Sequence, residues 1–165
     1  MEMNLAQGVG MMKKFMNKAI QAAFDNVTKN NGGPFGAVVV KNGKIIGTGI
    51  NQVTALNDPT AHAEVQAIRE ACQHLGSFQL DECEIYTSCE PCPMCFGAIY
   101  WARPKAVYYA CTKEDAAQIG FDDQFIYEQL ALPEGKRSIK MIHLNLEEAN
   151  VPFQAWSNSN AKITY

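Results

Sequence analysis

Two short segments of the chain carry residues that can bind a metal ion. Cys92 and Cys95 are three residues apart at the predicted start of a helix, so their side chains share one helix face. His62 lies at the predicted start of another helix and can supply a neutral imidazole. Two thiolates and an imidazole suit zinc, and a helix N-terminus favours the ligating thiolate. Because structural zinc sites usually have four protein ligands, a set of three predicts a catalytic site with one position left for water.

Glu64 follows His62 by two residues. This spacing differs from the four-residue step that places two ligands on one helix face, so Glu64 need not be a ligand. A carboxylate near the same helix start can instead carry protons to and from a zinc-bound water. Zinc lowers the pKa of such a water to about 7, which makes hydroxide available at neutral pH.

The cysteines also admit other interpretations. A lone Cys-x-x-Cys pair can be a redox pair or two core thiols, and Cys89 with Cys92 is a rival ligand pair. We favour Cys92 and Cys95 because only they share the helix, and no role for Cys89 follows from the sequence. The remaining thiols are expected to be reduced and to lie in or near the core: Cys72, Cys83 and Cys111.

The composition is that of one globular domain without a disulfide framework. The chain has 165 residues, 47% of them hydrophobic and 19% charged, and its formal net charge is −3. That length fits one domain, and the charge excludes a strongly basic nucleic-acid binder. No cationic start precedes a long apolar run, and no stretch reaches the roughly 18 apolar residues of a membrane span. We therefore expect a cytoplasmic protein that does not bind membranes.

The residue pattern predicts alternating helices and strands. A loose leader of residues 1–11 precedes a helix from Met12 to Val27, and a hairpin follows whose turn is Asn42-Gly43. Later helices are predicted at 61–75, 91–102 and 122–132, and later strands at 84–88, 106–110 and 139–144. This order favours a parallel portion joined to an antiparallel hairpin, with helices on both faces of the sheet. Residues 12–165 are thus expected to form a single α/β domain.

The residues above resemble the cytidine deaminase superfamily, and within it the short bacterial-type guanine deaminases. His-x-Glu followed by Pro-Cys-x-x-Cys is the zinc deaminase signature. The resemblance extends from Met12 to Tyr165, and its strongest blocks are 33–37, 57–64 and 87–95, supported by 97–103, 120–123 and 152–156. It implies a three-layer α/β/α cytidine deaminase-like fold with a central five-stranded mixed sheet.

The resemblance also implies an activity. Members hydrolyse guanine to xanthine and ammonia in purine salvage and catabolism. By resemblance, one zinc ion per subunit is held by His62, Cys92 and Cys95. Hydroxide on that zinc attacks C2 of the base, and Glu64 moves the protons.

Further site residues are implied by matching family positions. Four are expected to contact the base: Phe35, Asn51, Ala63 and Trp101. Asp123 is expected to relay protons to the leaving amino group, although Asp122 or Asp123 can equally cap a helix. Tyr165 is expected to close a site, often that of a neighbouring subunit, through exchange of the aromatic segment 152–165 in a homodimer.

Three other functions remain open from the sequence. A tRNA adenosine deaminase shares the first motif blocks, but the net charge of −3 and the aromatic tail oppose binding of a large RNA. A guanosine deaminase needs a pocket with space for ribose. A non-catalytic zinc-binding module needs a fourth protein ligand and tolerates loss of Glu64. A small purine base is the expected partner, and nucleic acid is not.

Overall fold

The computed structural model describes the backbone of residues 5–165 and the side chains of residues 8–165. The chain forms two compact units, of which the first extends to Gln124 and the second is Phe125–Tyr165. The single domain predicted over 12–165 stays a prediction. No residue of the second unit is buried, so this unit has no hydrophobic core of its own.

The first helix, α1, is Leu5–Thr28. Residues 5–11, expected as a loose leader, are therefore helical, and residues 1–4 lie outside the described part of the chain. The apolar stripe of α1 is buried at Phe15, Ala19 and Ala23. A Cβ on Gly36 would collide with the Ala19 carbonyl oxygen, so the helix lies directly on the sheet.

The sheet of the first unit contains four strands: β1 (Gly36–Lys41), β2 (Lys44–Ile50), β3 (Glu84–Cys89) and β4 (Ala106–Cys111). Their order is β2-β1-β3-β4; β1 is antiparallel to β2 and β3, whereas β3 and β4 are parallel. Asn42 and Gly43 have φ angles of 51° and 73°, as a two-residue hairpin turn between twisted strands requires. The predicted hairpin and the parallel portion are confirmed.

Helices cover both faces of this sheet. The remaining helices are α2 (Val53–Leu56), α3 (Ala63–Leu75), α4 (Pro93–Ala102), α5 (Lys113–Gln118), α6 (Gln124–Ala131) and α7 (Val151–Asn158), with short 3₁₀ turns at Glu134–Lys136 and Glu147–Asn150. One core cluster joins β1 and β3 to α3 and α4, and a second joins them to α1. The three-layer α/β/α arrangement is therefore present. Within residues 5–165, no helix has both the length and the apolar character needed to cross a membrane.

The expectation of a five-stranded sheet is wrong for this chain. Residues 139–144 were expected as the last strand, but they pair with no other strand among the described residues. An apolar, β-branched run forms a strand of a sheet only where a neighbouring strand pairs with its main-chain hydrogen-bonding groups. The composition of 139–144 is strand-like, and the pairing is what is missing.

Candidate active site

The turn before α3 directs His62 and Glu64. The Asp58 carboxylate accepts hydrogen bonds from the Thr60 N–H and hydroxyl at 2.8 and 2.7 Å, which closes an Asx turn. His62 then occupies the N-cap of α3 with extended backbone, and Glu64 falls in the first helical turn. The local sequence therefore presents the imidazole and the carboxylate at the same end of one helix.

The start of α4 directs the two thiols. Cys92 is its N-cap, Pro93 is the first helical residue and Cys95 lies in the first turn. Proline is favoured there because its missing N–H is one that a helix start leaves unpaired anyway. Both cysteines are buried. The two helix starts, α3 and α4, thus deliver all the predicted metal ligands.

The three predicted ligands converge. Nδ1 of His62 lies 3.5 Å from Sγ of Cys92 and 3.5 Å from Sγ of Cys95, and the three ligand atoms all lie within 4.8 Å of one another. Tetrahedral zinc, with its usual bond lengths, places a ligating nitrogen and sulfur about 3.5 Å apart. The donor set therefore fits zinc. In the rival pair, Cys89 instead directs its thiol to the Thr112 carbonyl at 3.4 Å.

Hydrogen bonding makes Cys92 the more acidic of the two thiols. Contacts with the Cys95 thiol and the His62 ring lower the pKa of Cys92 to about 4, against the opposing effect of burial. The contact with Cys92 raises the pKa of Cys95, and it raises the pKa of His62 as well. Since a thiolate is the ligating form, Cys92 is prepared to bind a cation.

Glu64 lies beside the ligands without belonging to the set of three. Its side chain is 6% exposed, the Thr87 hydroxyl donates to Oε1 at 3.1 Å, and the Cys95 thiol lies 3.4 Å from Oε2. Burial raises the pKa of the Glu64 carboxyl, and the hydrogen bonds from Cys95 and Thr87 lower it. A buried carboxyl held in this way can take up and return a proton.

A cavity of about 320 Å³ opens beside His62 and Glu64. It is lined further by Gly33, Phe35, Asn51, Val53, Thr54, Cys89, Glu90, Cys92, Phe121 and Asp123. The Phe35 and Phe121 rings meet edge to face, with centroids 4.8 Å apart. Such a cavity, with aromatic walls and a few polar groups, is typical of a site for a small planar molecule.

Three of the other predicted site residues lie at this cavity, namely Phe35, Asn51 and Asp123. Asn51 is 7% exposed, and its Oδ1 accepts the Val53 N–H at 3.4 Å. The two neighbouring aspartates have separate positions: Asp122 accepts the Gln124 N–H at 3.0 Å near the start of α6, whereas Asp123 lines the cavity. Burial raises the pKa of Asp123.

Three predicted residues do not line this cavity. Ala63 is fully buried in the core cluster, where a Cβ on Gly49 would collide with its carbonyl oxygen. Trp101 is 62% exposed, because six helical positions turn it about 120° away from the face that carries Cys95. Tyr165 is an exposed residue of the second unit.

Several residues that contact the site are not predicted from the sequence. Phe121, in the motif block 120–123, and Cys89, in the block 87–95, both line the cavity. The position of Thr87 at the site could have been predicted, because two-residue periodicity places it on the same face of β3 as Cys89. The burial of Asn26 could also have been predicted, since it continues the buried stripe of α1 three residues after Ala23. Of the thiols expected in or near the core, Cys83 is buried, Cys72 is half-buried and Cys111 is exposed.

Comparison with known proteins agrees with this geometry. Residues 11–111 match the family described as the cytidine and deoxycytidylate deaminase zinc-binding region. The chain is 57% identical to a guanine deaminase of Bacillus subtilis over 151 residues, which is 92% of this chain and 97% of that protein. A crystal structure of guanine deaminase from Bacillus subtilis aligns with a TM-score of 0.91 at 56% identity, covering 93% of this chain and 98% of that one.

Similarity to RNA-modifying enzymes is lower. A tRNA-specific adenosine deaminase of Aquifex aeolicus is 38% identical over 118 residues, which is 71% of this chain and 75% of that protein. The higher identity and the nearly complete coverage therefore belong to the match with the guanine deaminase of Bacillus subtilis.

Proposed function

The chain belongs to the cytidine and deoxycytidylate deaminase family. From its 57% identity to a guanine deaminase we propose that it hydrolyses guanine to xanthine and ammonia. One observation carries the proposal: His62, Cys92 and Cys95 converge at zinc-ligand spacing, with the buried Glu64 carboxyl beside them at a small aromatic cavity. A non-catalytic zinc module has no need of a buried carboxyl at that position.

The residues of the chain divide the work. Bound zinc supplies a Lewis acid and lowers the pKa of a water molecule to about 7. Glu64 takes one proton from the nucleophilic water and delivers it to a ring nitrogen as the oxygen adds to C2. It then takes the second proton from that oxygen and delivers it to the amino group, which leaves as ammonia as the C2 carbonyl forms. Asp123, which lines the same cavity, assists proton transfer to that amino group. The Phe35 and Phe121 rings form an aromatic wall that packs against the base, and Asn51 orients the base through hydrogen bonds.

The size of the cavity favours a free base. A volume of about 320 Å³ lies near the lower end of the roughly 300–1,000 Å³ range of small-molecule sites. A guanosine ribose needs additional space, and a tRNA stem-loop needs an open, positively charged groove. The net charge of −3 supports a small neutral substrate over RNA. Thiolate ligands also favour a reducing setting, so the cytoplasm is the proposed location.

A substrate screen with one paired variant tests this function. Zinc-loaded protein is assayed for ammonia release from guanine, guanosine, adenine, cytosine and an adenosine-containing stem-loop. Guanine is expected to be the preferred substrate, and Glu64→Gln is expected to keep its zinc while losing about 10²- to 10⁴-fold in kcat. Bound zinc without turnover of any substrate refutes the deaminase assignment. If guanosine is preferred over guanine, the protein is a guanosine deaminase instead.

We also propose that the active form is a homodimer whose subunits exchange their C-terminal segments. The second unit exposes large apolar side chains along its length: Ile139, Met141, Ile142, Leu144, Leu146, Phe153 and Trp156. Exposed apolar surface of this extent marks an interaction site rather than a solvated tail. A second copy of the chain, whose α4 exposes Phe96, Tyr100 and Trp101, offers a matching apolar surface. In this arrangement Tyr165 closes the cavity of the partner subunit.

A further inference from the structure

Asn26 on α1 is a buried polar residue whose side chain contacts the loop at Gly33 and the main chain just after β2. Its side chain is 1% exposed, and Nδ2 donates to two main-chain carbonyls, those of Gly33 and Asn51, both at 2.8 Å. The amide cannot be reversed, because its oxygen would then face two carbonyl oxygens. Oδ1 has no hydrogen-bond partner among the described residues, so only the amino end of this side chain is used.

The two carbonyls belong to the wall of the cavity. Gly33, Phe35 and Asn51 all line it. The same wall is joined internally, since the Phe35 N–H donates to the Gly33 carbonyl at 2.9 Å and the Asn51 N–H donates to the Phe35 carbonyl at 3.1 Å. Asn26 is thus the side chain that fastens this hydrogen-bonded unit to α1.

Gly32 shows how closely these parts fit. A Cβ at Gly32 would collide with the Asn51 carbonyl oxygen and would lie 3.1 Å from Nδ2 of Asn26. The loop therefore approaches the end of β2 at backbone distance, and the Asn26 amide fills the space behind it. A small movement of this unit displaces Phe35 and Asn51 together.

We propose that Asn26 is a positioning residue for the base-binding wall. Its two hydrogen bonds fix the main chain at Gly33 and Asn51, and thereby fix the Phe35 ring and the Asn51 amide against the substrate. This proposal rests on the proposed function for its kinetic consequence, but the hydrogen-bond clamp itself does not depend on the substrate.

The first test measures the clamp without any substrate. In zinc-loaded Asn26→Ala, the main-chain amides of Gly33, Phe35 and residues 51–53 are expected to exchange hydrogen at least about tenfold faster, because buried carbonyls have lost their donor. Peptides covering β3 serve as the internal reference and keep their exchange rates. Asn26→Ser retains one donor and is expected to lie between Asn26→Ala and the unmodified chain, which gives a milder variant where alanine impairs folding. Unchanged exchange at Gly33, Phe35 and residues 51–53 overturns the proposal.

The second test separates positioning from general stability. Asn26→Ala is expected to raise the KM for guanine about 5- to 30-fold with a smaller effect on kcat, whereas Gln21→Ala, on the exposed side of α1, leaves both unchanged. In the Asn51→Ala background the effect of Asn26→Ala on KM shrinks at least about threefold, because the residue it positions is gone. Full additivity in this cycle overturns the proposal. If the unmodified chain does not act on guanine, the proposed function fails by itself, and hydrogen exchange still decides the clamp.

Discussion

Thr87 and Glu64 lie on different elements, β3 and α3, and meet through one buried hydrogen bond. The hydroxyl donates to Oε1 at 3.1 Å, and Thr87 is 1% exposed. Because this contact selects one orientation of the carboxyl, Thr87→Val is expected to lower kcat about tenfold with little change in KM, the cost of losing one hydrogen bond to a charged group. Steady-state kinetics with guanine measures the effect.

Valine keeps the shape of threonine and removes its hydroxyl. The matched control is serine, which keeps the hydroxyl and removes the methyl group. Thr87→Ser is expected to retain most of the activity, and both variants are expected to keep the zinc content of the unmodified chain. If Thr87→Ser loses as much kcat as Thr87→Val, packing at this position matters and the hydrogen bond does not.

The adjacent aspartates provide a second comparison at the scale of single residues. Asp123 lines the cavity and Asp122 accepts a main-chain N–H near the start of α6. Asp123→Asn is therefore expected to lower kcat about 10- to 100-fold, as for a proton carrier, whereas Asp122→Asn keeps an acceptor and leaves kcat nearly unchanged. Equal losses in the two variants would contradict a catalytic role specific to Asp123.

The metal ligands could be predicted from the sequence because the residues that place each ligand at a helix start are close to it in the chain. Cys92, Pro93 and Cys95 define their own helix start, and the turn at Asp58 does the same for His62. The contact of Asn26 with the Asn51 carbonyl and the contact of Thr87 with Glu64 could not be predicted, because these partners lie 25 and 23 residues away in the chain. A buried polar residue can be recognised in the sequence as a break in an apolar stripe, but the stripe does not identify the groups to which that residue hydrogen-bonds.

At the scale of elements, Gly49 of β2 allows α3 to lie against the sheet next to the metal site. A Cβ at Gly49 would collide with the carbonyl oxygen of Ala63, the residue after His62. Gly49→Ala is therefore expected to lower the free energy of unfolding by about 1–3 kcal/mol and to weaken zinc binding. Chemical denaturation and zinc titration against a competing chelator measure the two effects.

Gly97 within α4 is the matched control for this substitution. A Cβ there meets no atom within 4 Å, so Gly97→Ala is expected to raise the free energy of unfolding by about 0.5–1 kcal/mol through its effect on the helix. A loss of stability at Gly97 as large as that at Gly49 would show that close approach of α3 to β2 is not the cause.

The order of the elements could be read from periodicity, whereas the edge of the sheet could not. The hairpin at Asn42-Gly43 and the α3 end at Gly76 follow from local backbone preferences. Residues 139–144 have the composition of a strand, but pairing depends on which edge they meet. That edge lies outside the segment itself, so no local pattern in the sequence identifies it.

At the scale of the whole molecule, the exposed apolar side chains of residues 125–165 predict a dimer. Phe153 and Trp156 lie on α7 and are 71% and 46% exposed. Replacing both with serine is expected to shift the protein from dimer to monomer at micromolar concentration, because the apolar area available for association is reduced. Light scattering coupled to size exclusion measures the mass. A dimer unchanged by both substitutions would contradict the role of α7 in association.

Exchange of C-terminal segments makes a sharper prediction, because Tyr165 and Glu64 of one active site then come from different chains. Deleting Tyr165 is expected to reduce activity in one variant, and Glu64→Ala abolishes it in the other, while both keep their zinc. If Tyr165 closes the cavity of the partner, a mixed dimer contains one site with both groups intact. Unfolding and refolding an equimolar mixture is then expected to restore about a quarter of the unmodified activity, since half of the dimers are mixed and each has one working site. If Tyr165 serves its own chain, no mixed dimer contains a complete site, and the mixture shows only the average of the two variants.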